Sequence, residues 1–191
     1  MIHEVIITTC YENGEAHIAP MGIRRADGLI VIAPFRPSAT LENLQRDAVA
    51  VVNMTDNVKI FAGCLTGRRD WPLRPATKIH GRRLEDCLSH MEVEVDHCEE
   101  DDLRPRFYCR VVHAQTHRAF SGFNRAQAAV LEAAILVSRL DMLPEEKVRT
   151  EIDYHRIAIE KTAGADEREA WQWLMQKIAA HSFADVEETS P

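Results

Sequence analysis

The 191-residue chain is 46% hydrophobic and 28% charged, the profile of a globular protein with room for one sizeable core, or a core with an appendage. Its net charge of −7 excludes a general binder of nucleic acid or anionic membrane, because such surfaces need a basic face. The cysteines (Cys10, Cys64, Cys87, Cys98 and Cys109) are odd in number and lack CxxC spacing, which argues against a disulfide scaffold or a zinc cluster and for a reducing, cytoplasmic setting.

The first residues, Ile2-His3-Glu4-Val5-Ile6-Ile7, read as a strand and not as a targeting segment, and no apolar run approaches membrane-spanning length. A strand over 4–11 is closed by Glu12-Asn13-Gly14-Glu15, and Asn-Gly between extended runs predicts a hairpin. The returning strand is Ala16-His17-Ile18-Ala19-Pro20-Met21-Gly22-Ile23. Asp27-Gly28 marks a further turn, followed by a strand over 29–33 and a short helix over 38–46. Residues 48–54 are almost wholly apolar and predict a central strand.

Residues 66–82 carry Gly67, Pro72, Pro75 and Gly81 and read as a long surface loop. Within and just beyond it lie Arg68, Arg69, Arg74, Lys78, Arg82 and Arg83, a local basic patch. In the strand over 90–96, Met91, Val93 and Val95 face one way and the acids the other, and 107–116 supplies its partner.

Helical periodicity takes over at Asn124. Asn124 with Gln127 has the form of a capping box, and Ala126, Val130, Ala133, Val137 and Leu140 repeat at helical spacing. A second helix runs over 144–161. A third is opened by Asp166 with Glu169 and carries the stripe Trp171, Leu174, Met175 and Ile178. These shifts divide the chain into a β-rich part over 1–123, a helical part over 124–182 and an acidic tail over 183–191.

Two segments carry candidate chemistry. In Pro37-Ser38-Ala39-Thr40-Leu41-Glu42-Asn43-Leu44, three polar side chains cluster at a helix start, with Arg36 just upstream. Plain capping by Thr40 is one reading. An anion of phosphate size held by Ser38, Thr40, Asn43 and the first N–H groups is the other. In His17–Ile23, Pro20 and Gly22 interrupt a strand, which marks either an irregular edge or a bulge where a flat ligand meets exposed backbone. The histidines form no HExxH or short HxH pair, so no metal site is expected. Cys10 and Cys64 read as small core residues. Nucleophile-elbow, Walker and Rossmann glycine patterns are absent.

Taken in order, three segments resemble the FMN-binding split-barrel superfamily of flavin reductases and pyridoxamine-phosphate oxidases, and more narrowly the DUF447 family. They are His17–Ile23, the Pro37–Leu44 run with Val52-Asn53, and Asn124-Arg125-Ala126 leading into Glu132-Ala133. The resemblance spans nearly the whole chain. It implies an α+β fold, a split β-barrel of the FMN-binding type with a C-terminal all-helical extension. It also implies a homodimer with FMN, or the deazaflavin F420, at or near the interface. Carried onto this chain, Ser38, Thr40 and Asn43 would hold the phosphate with help from Arg36. Pro20, Met21, Gly22 and Ile23 would flank the ring, and Asn53 would contact the flavin or its ribityl chain. The 66–82 loop is expected to cover the open ring face and, through Arg68 and Arg69, to select an anionic substrate. The implied function is an oxidoreductase with an association to one-carbon and pterin cofactor metabolism; the alternative is a flavin carrier or regulatory module without turnover.

Overall fold

The structure is a computed structural model and describes residues 1–183; the tail expected over 183–191 lies, beyond Phe183, outside the described residues. In chain order the elements are β1 (Ile2–Cys10), β2 (Ala16–Ala26), β3 (Leu29–Ile32), α1 (Ala39–Asp47), β4 (Val49–Met54), α2 (Val58–Leu65), β5 (Leu73–Pro75), β6 (Arg82–Leu84), β7 (Ser89–Glu99), β8 (Arg106–Thr116), α3 (Arg125–Val137), α4 (Glu145–Thr162) and α5 (Ala165–Ala179). Six antiparallel strands close a barrel in the order β1-β2-β3-β8-β7-β4, and β5 with β6 forms a separate ribbon. This is the FMN-binding type of split barrel, extended by helices toward the C-terminus.

Strand alternation builds the barrel interior. Val5 and Ile7 of β1, Ile23 of β2, Ile30 and Ile32 of β3, Ala50 and Val52 of β4, Met91 and Val93 of β7, and Phe107 and Cys109 of β8 share one core. Leu41 and Leu44 of α1 join it, so this helix is an integral part of the barrel packing. The Asn13-Gly14 turn is where expected, with Gly14 at φ +82°.

The chain separates into two compact units that do not follow a single cut. One comprises Met1–Asp56 with Asp70–Phe120; the other comprises Asn57–Arg69 with Ser121 onward. Helix α2, which no sequence signal announces, therefore belongs with α3, α4 and α5. Val58 and Ala62 share their core with Ala126, Val130, Ala133, Trp171 and Leu174.

The helix caps depart from the expected pairs in detail. Asn124 caps α3, accepting from the N–H groups of Ala126 (2.7 Å) and Gln127 (3.3 Å). Gln127 does not reach back; its amide donates to Glu167 of α5. At the start of α5 it is Glu167, three residues after Gly164, that accepts the Gly164 N–H at 2.9 Å; glycine has no side chain to return the bond, so a one-way cap stands in place of the box expected from Asp166 and Glu169. Asp166 and Glu169 instead pair with Lys59 of α2. None of the described helices is long and apolar enough to cross a membrane.

Candidate functional site

The segment after β3 turns into α1 through Arg36 and Pro37. Ser38 is the N-cap: its backbone is extended, and its Oγ accepts the Leu41 N–H at 3.3 Å. Thr40, expected as the cap if the helix start is plain, lies instead within the first turn and is 2% exposed. With Ser38 holding Leu41 and Glu42, the N–H groups of Ala39 and Thr40 have no intrahelical acceptor and mark the positive end of the helix dipole. Arg36 stands beside them, with its guanidinium 41% exposed and 3.1 Å from Glu100. A surface pair of this kind contributes little stability, so the guanidinium is available to a stronger anion.

Asn43 takes another part. It is buried, and its amide donates to Thr9 Oγ1 of β1 at 2.9 Å, tying α1 to the barrel. Within the structure it is a structural residue and not a donor aimed at the helix start.

The β2 segment is not bulged. The β1–β2 register runs unbroken from Ile2 opposite Arg24 to Cys10 opposite Ala16, correcting the expectation of N–H groups freed by an irregularity. What exposes this backbone is the length of its other neighbour. β3 pairs only with Ile23–Ala26, so residues 16–22 have β1 on one side and no strand on the other. Pro20 is tolerated there because an edge needs one N–H fewer. Pro20, Met21 and Gly22 are half-buried; Ile23 is part of the barrel core and Met21 packs against it from the same face. A Cβ at Gly22 would lie 2.8 Å from Ile2 Cγ2, so a larger residue here would have to displace the exposed Ile2 side chain. Helix α1 packs on both β1 and β2, so the helix start and the unpartnered β2 edge belong to one region of the barrel.

Asn53 is not part of that region. It points out of the barrel on β4, is wholly buried, and spends its amide on the protein. Nδ2 donates to Ile6 O at 3.0 Å and Thr8 Oγ1 at 3.2 Å, and Oδ1 accepts the Leu84 N–H at 2.8 Å. Thr8 in turn donates to Arg82 O. These bonds strap the β5–β6 ribbon onto the outer face of β1 and β4 and occupy the amide that the sequence reading gives to a flavin contact. Its polarity serves the attachment of a covering ribbon.

The 66–82 stretch is a surface loop that carries β5 and the first residue of β6, and its part from Asp70 onward forms the strap. Some of its basic residues, and Arg83 just beyond it, have partners within the protein. Arg68 belongs to the helical unit, where its guanidinium lies 4.1 Å over the Trp173 ring. Arg74 pairs with Glu85 at 2.6 Å, and Arg83 donates to Leu84 O. That stacking gives Arg68 a packing role beside the substrate selection expected of Arg68 and Arg69.

Beneath the same strap lies a cluster that sequence reading missed. Glu92 is wholly buried on the outer face of β7. Its carboxylate accepts the N–H groups of Thr77 and Lys78 (2.6 Å each) and Ile79 (3.1 Å). Burial alone would push the Glu92 carboxyl up; those N–H groups and His90 outweigh it and hold it below the usual range. His90, 1% exposed, places Nε2 3.3 Å from Glu92 Oε1 and Nδ1 2.9 Å from His117 Nε2. Burial lowers the His90 pKa, keeping the ring neutral. His113 sits directly opposite Glu92 on β8.

The register explains why His113 was not recognisable. Val111 pairs with Val93 and packs toward the barrel core, so strict alternation would send His113 inward as well. Val112 is the extra residue of a β-bulge, which restores His113 to the outer face beside Glu92. The His90-x-Glu92 spacing, two residues on a strand, was the one visible signal.

Two of the thiols are held in the protonated form by burial. Burial pushes Cys64 up to about 11 and Cys109 to about 12.

The comparisons agree with this architecture. The family model described as the protein of unknown function (DUF447) N-terminal domain matches residues 3–118, and the C-terminal DUF447 model matches 124–176. No curated protein matches the sequence. Among solved structures, an FMN-bound DUF447 protein from Methanosarcina mazei is 20% identical, with 92% of this chain and 94% of that chain covered at a TM-score of 0.80. A flavoredoxin from Methanosarcina acetivorans is 15% identical, covering 61% and 69% at a TM-score of 0.53. The flavin reductase of a styrene monooxygenase from Pseudomonas putida S12 is 14% identical, covering 60% and 80% at a TM-score of 0.50. The first of these covers nearly the whole chain, and both family models lie on the chain in order: this protein belongs to the DUF447 family.

Proposed function

We propose that this chain binds FMN at the α1 end of the barrel and acts as an oxidoreductase. The single observation that carries the reading is the pairing of an open helix N-terminus with an unpartnered strand edge in one region of the barrel. The residues present fit a flavin phosphate: Ser38, the Ala39 and Thr40 N–H groups, and Arg36 supply hydrogen bonds and positive charge. Pro20, Met21 and the Gly22 backbone offer a flat, half-apolar edge for a ring. When bound, the flavin supplies the hydride or electron chemistry, and the chain's part is to hold and orient it. The FMN carried by the Methanosarcina mazei relative favours FMN over the deazaflavin F420.

The same region supports a homodimer with the flavin at or near the interface. Phe35 and Leu103 are 55% and 59% exposed and adjoin the helix start, where the Arg36 N–H donates to Leu103 O. Large apolar side chains left open beside a cofactor region are the kind of surface a second copy covers. One-carbon and pterin cofactors are the substrate class to try first.

Titration of the purified chain with FMN tests the binding reading: bound flavin absorbance is the expected result, and protein that stays colourless after reconstitution contradicts it. Bleaching by NADH or NADPH and reoxidation by an acceptor is expected of an oxidoreductase. Bound flavin that no donor bleaches would identify a carrier.

A further inference from the structure

We propose that His90, Glu92 and His113 form a binding site for a divalent transition-metal ion of the Zn2+ or Fe2+ class, separate from the α1 end of the barrel. Ligand-type atoms of these three residues lie within 4.8 Å of one another. Two imidazoles and one carboxylate are a donor set such ions favour, with a position left for water or substrate.

Three further observations point the same way. Neighbouring ligands of a tetrahedral ion held at about 2.0–2.1 Å lie about 3.3 Å apart. The His90 Nε2 to Glu92 Oε1 distance is 3.3 Å. His113 carries a buried ring nitrogen, Nε2, with no hydrogen-bond partner, a costly state that a metal bond would relieve. The surroundings already have the form of an outer shell. Thr77, Lys78 and Ile79 orient the carboxylate through their N–H groups, and His117 engages the far nitrogen of His90. With an ion bound, His90 would carry its proton on Nδ1 and His117 on its own Nδ1, so that His90 Nδ1–H donates to His117 Nε2 and His90 Nε2 is free to hold the ion. His113 and His117 are only half-buried and mark the side from which an ion enters.

The site draws on β7, β8 and the strap, and uses none of the residues assigned to flavin. Its test is therefore independent of flavin content. The full-length protein is stripped with EDTA, dialysed against Zn2+ or Co2+, and its bound metal counted. One ion per chain, a ligand-field absorption band with Co2+, and a metal-dependent rise in Tm are the expected results. His113→Gln should weaken binding by at least about tenfold. His97→Ala, at an exposed histidine paired with Asp96, should leave it unchanged. Absence of both stoichiometric metal and a Tm rise in the unmodified protein overturns the proposal, even if His113→Gln fails to fold. So does binding that survives His113→Gln or is lost with His97→Ala.

Discussion

Two polar regions of the barrel invite comparison: the α1 start with the β2 edge, and the outer face of β4 and β7 under the strap. The first is conspicuous in sequence, with Ser38, Thr40, Asn43 and Arg36 in eight residues, yet the fold internalises part of it. Asn43 is consumed by Thr9, and Thr40 is buried. The second is dispersed over Asn53, Glu92 and three histidines, yet it gathers into a dense network. The difference teaches that a run of polar residues at a helix start serves the fold first. Only the groups left over, here backbone N–H groups and a loosely paired arginine, remain for a ligand.

The largest effect expected from breaking this division is at Asn53. Asn53→Ala leaves the Leu84 N–H and Ile6 C=O without their buried partner, which costs about 2–3 kcal/mol. Chemical denaturation measures the loss, and FMN affinity of the folded variant should be unchanged. A variant with normal stability but impaired FMN binding would restore Asn53 to the flavin site.

Thiol labelling sharpens the same contrast. Cys87, 1% exposed beneath the strap, donates to Leu84 O, whereas Cys109 sits in the barrel core and Cys98 is exposed. At mildly alkaline pH, Cys98 should react first. Asn53→Ala should accelerate labelling of Cys87 but not of Cys109, whose thiol is also kept protonated. Equal acceleration of both would mean that the strap does not open on its own.

The smallest effect is expected at Arg68. Arg68→Ala removes a cation–π contact with Trp173 worth about 0.5–1 kcal/mol. It should lower Tm slightly; an unchanged KM for every anionic substrate would leave Arg68 to packing alone, and a raised KM for one such substrate would bear out substrate selection.

Much of the barrel was legible because its strands alternate cleanly or run wholly apolar, and because Asn13-Gly14 and Asp27-Gly28 punctuate them. Helix α3 was legible from Asn124 and its alanine-rich repeat. Helix α2 was not: Val58–Leu65 is short, apolar and interrupted by Gly63, and its helicity depends on packing with the other helices. At the candidate sites, residue type was readable but hydrogen-bond assignment was not. Nothing local in Val52-Asn53 indicates that Leu84 will claim the amide. Nor does the spacing of His113 reveal the bulge at Val112 that turns it toward Glu92.

The most direct measurement is FMN affinity, by quenching of flavin fluorescence, across Arg36→Ala with Ser38→Ala, and Asn43→Ala alone. Loss of charge-assisted hydrogen bonds should weaken binding by the double variant by at least about tenfold. Asn43→Ala should change affinity little while costing about 1 kcal/mol of stability. FMN binding that tolerates the double variant but collapses in Asn43→Ala would contradict the assignment of the phosphate to the open helix start.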